Sequence, residues 1–139
     1  MLIGKSSRLY KQLYNEGIIY AAPSLDYEFA KDYAHVLITG QSNNPDEILE
    51  RFKEEVRNLK KYGINEEDLS RIKKKIYGSY VKEYNDVADI SRMFLSDYFK
   101  GICSFDYLEE IEGINAEYVK QVLENVFKED KMVISIVKN

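Results

Sequence analysis

Side chains able to do chemistry are sparse in this sequence. Among the usual ligand and nucleophile types there is one histidine, His35, and one cysteine, Cys103. A catalytic metal held by protein side chains needs about three ligands and an acid or base beside them. His35 falls in a run of aromatic and β-branched residues and reads as a partly buried structural histidine rather than a ligand. The neighbouring acids Glu66, Glu67 and Asp68, and Glu109 with Glu110, lie at expected helix starts or on polar faces, where carboxylates are placed for solvation and the helix dipole. Gly4-Lys5-Ser6 has the last letters of a phosphate loop but neither the earlier glycine nor a preceding strand, so that reading fails. Arg71 to Lys75 alternates with an apolar isoleucine face and follows acids, which makes it a charged helix surface rather than a nucleic-acid patch.

The elements that must position whatever site exists are easier to read. Gly4 to Tyr20 carries a helix start, a helix stop and a strand start. Ser6 or Ser7 can cap a helix, Leu9, Leu13, Tyr10 and Tyr14 repeat at helical spacing, and Gly17 can take the left-handed conformation that closes it. Ile18 to Ala22 is expected to be a strand interrupted by Pro23-Ser24. Leu25 to Ala30 and Tyr33 to Thr39 form an expected antiparallel hairpin, with Ala34, Val36 and Ile38 on its core face. Asn44-Pro45-Asp46-Glu47 starts a helix running to about Tyr62, with an inward stripe of Ile48, Leu49, Phe52, Val56 and Leu59.

Asn65 starts the next helix, which keeps Leu69, Ile72, Ile76, Tyr80 and Tyr84 on one face. Gly78 inside it is expected to mark close packing, since a mid-helix glycine costs about 1 kcal/mol relative to alanine. Asn85-Asp86 leads into a third long helix with Val87, Ile90, Phe94, Leu95 and Tyr98 inward, stopped at Gly101. Ser104 to Ile111 is a short helix, and Asn115 caps another that buries Tyr118, Val119, Val122, Val126 and Phe127. Met132 to Val137 is apolar on both faces, the pattern of a strand inside a sheet. The order predicts an α+β fold of two layers: an antiparallel or mixed sheet with several helices packed mainly on one face.

Bulk properties narrow the function classes. At 139 residues and 45% hydrophobic the chain is expected to be a single domain with a real core. Net charge is −4 with both signs interspersed, so neither nucleic acid nor an anionic membrane is an expected partner. A lone cysteine and no long apolar run fit a cytoplasmic protein. The twelve tyrosines against no tryptophan suit half-buried layer edges, or a surface that meets another protein.

The stretch Ser6-Ser7-Arg8-Leu9 through Leu13, Gly17, Ile18 and Tyr20 resembles the C-terminal, non-catalytic half-domain of pitrilysin (insulinase-like) zinc metallopeptidases, in particular their bacterial zinc protease branch. The likeness continues through Gly40-Gln41-Ser42, through Ile64 to Asp68 leading to Arg71-Ile72-Lys73-Lys74-Lys75, and through Phe94 to Phe99, nearly to the C-terminus.

That resemblance implies a zinc site of the type H-x-x-E-H in the other, catalytic half, with zinc belonging to the full-length enzyme and no cofactor in this chain. It implies the catalytic N-terminal half of the same protein and a peptide substrate as partners. It also implies a strand and part of a helix ahead of the motif; this sequence starts at Met1 inside that region, so the chain is expected to be a truncated half-domain lacking its first strand, inactive alone and prone to form a homo-oligomer through the unpaired sheet edge. The family often places an arginine and a tyrosine seven residues apart, at the end of this helix and the start of this strand, to hold the substrate backbone. Tyr20 matches the tyrosine and is the one substrate-binding candidate. Leu13 stands at the arginine position and Arg8 lies too far up the helix to replace it, so an arginine restored at 13 is expected to improve the site. A second reading keeps the fold but makes it a stand-alone interaction or assembly module.

Overall fold

The computed structural model describes residues 1–137. Its first helix, α1 (Arg8–Asn15), is capped by Ser7, whose hydroxyl oxygen accepts from the Tyr10 N–H at 3.1 Å and so satisfies a backbone donor that the first turn leaves free. Gly17 at φ 71° then reverses the chain, and the Ile18 and Ile19 N–H groups both donate to the Leu13 carbonyl, at 2.9 and 3.4 Å. Strands β1 (Ser24–Phe29) and β2 (Ala34–Thr39) pair antiparallel, Leu25 opposite Ile38 and Glu28 opposite His35.

Five more helices follow: α2 (Pro45–Tyr62), α3 (Glu66–Glu83), α4 (Val87–Lys100), α5 (Tyr107–Gly113) and α6 (Ala116–Val126), with single 3-10 turns at Ser104–Asp106 and Glu129–Lys131. The architecture is α+β, as the order of elements predicts. The capping residues do what their types allow: Asn44, Asn65, Asp86 and Asn115 each accept from backbone N–H groups two or three residues on.

The core lies where α1 and α6 meet α2. Ile3, Leu9, Leu13, Ile18, Ile19, Phe52, Val56 and Leu123 form its buried cluster, with Ile38 of the hairpin and Met132 packed at the margin. Burying a leucine or isoleucine stabilises by about 1.5–3 kcal/mol, so this cluster fixes how α1 sits on α2. Among the described residues no helix is long and apolar enough to cross a membrane.

Several local expectations change. Ile18 to Ala22 forms no strand: one antiparallel bridge, Ile19 to Ser42, is all the ladder there is, and Pro23, which has no N–H to donate, stands just beyond. Met132 to Val137 forms no strand and pairs with none among the described residues, leaving Val133 96% exposed. Gly78 is not a packing contact, because a β-carbon built there would meet open space. In α6 the buried residue is Leu123, while Tyr118, Val122 and Val126 are largely exposed.

The turn of α4 is likewise not the expected one. Val87, Leu95, Tyr98 and Phe99 are exposed and Asp97 is buried. The carboxylate at 97 accepts from the Ser104 hydroxyl at 2.8 Å, the partner a polar group needs once it is buried.

Candidate functional site

Tyr20 owes its position to what precedes it. Ile18 and Ile19 are buried behind the glycine turn, and the chain then bends at Tyr20, whose side chain lies outward, 61% exposed. Its hydroxyl oxygen accepts a hydrogen bond from the Asn43 side-chain amide. Asn43 is held in turn, its backbone N–H donating to the Ile18 carbonyl at 3.3 Å. The Ser42 hydroxyl donates to the same carbonyl at 2.9 Å and accepts from the Asn44 N–H at 2.9 Å.

Asn44 closes the arrangement as the cap of α2. Its side-chain oxygen accepts from the Glu47 N–H at 3.3 Å, and its amide donates to the Glu47 carboxylate at 2.9 Å. Arg51, one turn further, reaches Glu47 and Glu16, both at 2.6 Å, and so ties the start of α2 to the end of α1. The Arg51 hydrogen bonds hold the Glu16 carboxyl below its usual range, and the two carboxylates push the guanidinium up. Tyr20 therefore stands at a junction where the exit of α1 and the entry to α2 are cross-tied.

The other member of the expected pair is elsewhere. Leu13 is fully buried, 0% exposed, in the centre of the core cluster. That placement argues against the expectation that an arginine at 13 improves the site, since a guanidinium there would displace core packing. Arg8 sits at the opposite end of α1, with its side chain exposed and paired with Glu55 at 2.9 Å. A polar groove between α1 and α2 runs past it, lined by Arg8, Gln12, Arg51, Glu54, Glu55 and Asn58. Its charges are of both signs, and Arg8 and Glu55 pair within it.

His35 lies on the surface of the hairpin with half of its side chain exposed, 3.6 Å from the Glu28 carboxylate and stacked on Tyr33 at 6.0 Å between ring centroids. Among the described residues no group of three or more His, Cys, Asp or Glu side chains comes together, and Cys103 is exposed and free. The residues present do not fit a catalytic zinc ion.

One polar cluster escaped sequence reasoning. Asp97 and Ser104 are both buried and bonded to each other, and the Tyr84 hydroxyl donates to the Ser104 carbonyl at 2.7 Å. Tyr107 stacks on Tyr80 at 5.1 Å, and burial, with the Asp97 charge next in weight, pushes its phenol up to about 12. An acid in the Ser96-Asp97-Tyr98 context looks like a solvated helix residue. Only Tyr84 and Tyr107, which supply donors from other elements, could have signalled otherwise. The cluster latches α4 to the turn before α5.

Residues 1–76 match the family described as the peptidase M16 inactive domain. Among curated proteins the chain is similar to the uncharacterized zinc protease YmfH of Bacillus subtilis (strain 168), 26% identical over 133 residues, which are 96% of this chain and 31% of that protein. Among solved structures it is similar to an M16-like peptidase from Alicyclobacillus acidocaldarius, with a TM-score of 0.82 at 22% identity, covering 88% of this chain and 30% of that one. The chain thus spans less than a third of the length of either relative.

Proposed function

We propose, from the premise that this chain belongs to the family of peptidase M16 inactive domains, that residues 1–139 act as one unit, the substrate-cradling, non-catalytic portion of a zinc-dependent metalloendopeptidase. In this reading the catalytic half of the protein holds zinc and the water-activating acid, and this half presents a surface against which a peptide is aligned. The observation that carries it is the placement of Tyr20: an exposed phenol at the end of a buried isoleucine pair, fixed from the side by Asn43 rather than packed into the core. A tyrosine that merely filled a sheet would be covered by neighbours. The similarity to a protein named as a zinc protease supports the reaction class, and the donor set of this chain requires that the metal ligands come from elsewhere.

The chemical contribution is proximity. Fixing a peptide backbone in a productive geometry can lower a barrier by about 7–11 kcal/mol at the upper end, and a cradle without a metal supplies part of that. The test is reconstitution with a catalytic half bearing H-x-x-E-H: peptide hydrolysis absent from either piece is expected to return on mixing. Tyr20→Phe in that assembly should lower kcat/KM by roughly 1.5–3 kcal/mol, the cost of one hydrogen bond to a charged or developing-charge acceptor. Rates unchanged by Tyr20→Phe would leave the chain a scaffold.

The second reading, a stand-alone assembly module, draws support from the end of α4, where Tyr98 and Phe99 are 65% and 83% exposed and packed edge to face. Adjacent exposed aromatics are a common mark of a protein-binding surface. Hydrolysis on reconstitution separates the two readings, since an assembly module would bind a partner without producing turnover.

A further inference from the structure

We infer that Asn43 is the positioning residue of Tyr20, setting its hydroxyl as a hydrogen-bond donor toward a peptide carbonyl; the inference rests on the reading of Tyr20 as a substrate contact. A phenol can donate one hydrogen and accept through its oxygen, and a free one turns between the two roles. At Tyr20 the choice is made locally. The Asn43 amide donates to the phenol oxygen, so the phenol's own hydrogen is left to point away from Asn43 and is the group that remains to be satisfied. The complementary ligand group is an acceptor: a backbone carbonyl, or the oxygen that gains charge as such a carbonyl is attacked.

Asn43 can play this part because its own backbone is pinned. Its N–H donates to Ile18, two residues before the tyrosine it serves, and the adjoining Ser42 bridges antiparallel to Ile19. On its other side Asn44 is committed to capping α2. Tyr20 and Asn43 are thus attached to two short chain segments already hydrogen-bonded to one another, so the distance between their side chains does not depend on the rest of the sheet.

Stability does not explain the pair. Both residues are exposed, and a hydrogen bond between two solvated side chains contributes little to folding, since each partner would otherwise bond to water. Asn43→Ala is therefore expected to unfold at the wild-type urea midpoint, and so is Tyr20→Phe.

The experiment is a double-mutant cycle in the reconstituted peptidase, combining Tyr20→Phe with Asn43→Ala and with Asn43→Asp. Asn43→Ala should lower kcat/KM roughly two- to ten-fold, the range of one neutral hydrogen bond. Asn43→Asp should fall further, to the level of Tyr20→Phe, because a carboxylate can only accept and would take the phenol hydrogen for itself. Neither change at 43 should lower activity again in the Tyr20→Phe background. In the unmixed chain, the Asn43 side-chain amide resonances should shift on Tyr20→Phe. Asn43→Asp with wild-type turnover, or changes at 43 that cost the same with and without the Tyr20 hydroxyl, would overturn the inference while leaving the cradle intact. Wild-type turnover by Tyr20→Phe would overturn both.

Discussion

Leu13→Arg is the substitution on which family likeness and packing disagree most sharply. A pattern-based alignment would place an arginine there and expect gain, whereas the structure puts the position at the centre of the core, with its carbonyl also accepting from Ile18 and Ile19. Two costs can be worked out. Removing the leucine from its fully buried site forfeits about 1.5–3 kcal/mol of burial, and more where a cavity or overpacking remains. Seating a guanidinium without a carboxylate costs several kcal/mol more, unless the long stem carries the charge out to solvent. The smaller sum, for an arginine that escapes, is about 3 kcal/mol. Against a typical domain stability of about 5–15 kcal/mol that is a large fraction, equivalent to a fall in Tm on the order of 10 °C. Urea denaturation followed by circular dichroism, with Leu13→Ala as the cavity control at about 2–5 kcal/mol, measures it. A Leu13→Arg chain within 1 kcal/mol of wild type would show that the side chain at 13 can reach the surface and that the core assignment is wrong.

Two further outcomes are expected. Because Tyr107 binds its proton more tightly folded, with a phenol at about 12, than unfolded at about 10, the unfolded chain loses the proton first as pH rises. The stabilisation is therefore present below pH 10 and lost between about 10 and 12, by roughly 1–2 kcal/mol once partial exposure is allowed for. Chemical denaturation across that window should show a shallower loss for Tyr107→Phe than for wild type; identical pH profiles would refute it. Sedimentation velocity over a hundred-fold concentration range should show self-association, because among the described residues β1 and β2 are both edge strands and the apolar run at Met132 to Val137 pairs with neither. A monomer at every concentration would refute that.

How far the sequence carried depends on whether a signal was local. Helix starts at Ser7, Asn44, Asn65, Asp86 and Asn115 were legible because a cap is a contact between neighbours, needing no knowledge of the fold. The hairpin was legible from alternation, down to Val36 and Ile38 on its more covered face. What failed was non-local. Whether Met132 to Val137 becomes a strand depends on a neighbour to pair with, and its own apolar residues cannot supply one. The face α4 buries was set by Asp97 meeting Ser104, a contact that hydrophobic periodicity misreads because it counts the acid as solvated. At the candidate site Tyr20 was legible as a position and Leu13 as a mismatch. Asn43 was not, since nothing in its spacing indicates that the loop returns to the end of α1.

That return explains how the candidate residue Tyr20 can be held in a chain whose sheet has two strands among the described residues. Tyr20 lacks the ladder that a strand would give it, yet three separate ties converge on its neighbourhood. The glycine turn fixes Ile18 and Ile19 to Leu13, the Ser42–Asn43 segment grips Ile18 from the other side, and Arg51 bridges the ends of α1 and α2 through Glu16 and Glu47. The first two are backbone and hydroxyl bonds within a short span, insensitive to the remainder of the fold. The third is an exposed ion pair and is worth little by itself. Orientation of the phenol thus depends on the 18–20 and 42–44 segments, and loosening α4 or the segment after Met132 should leave it unchanged. On the cradling reading proposed above, a contact held in this way keeps its geometry whichever of the surrounding surfaces a partner covers, because the ties that orient Tyr20 lie within the two segments themselves.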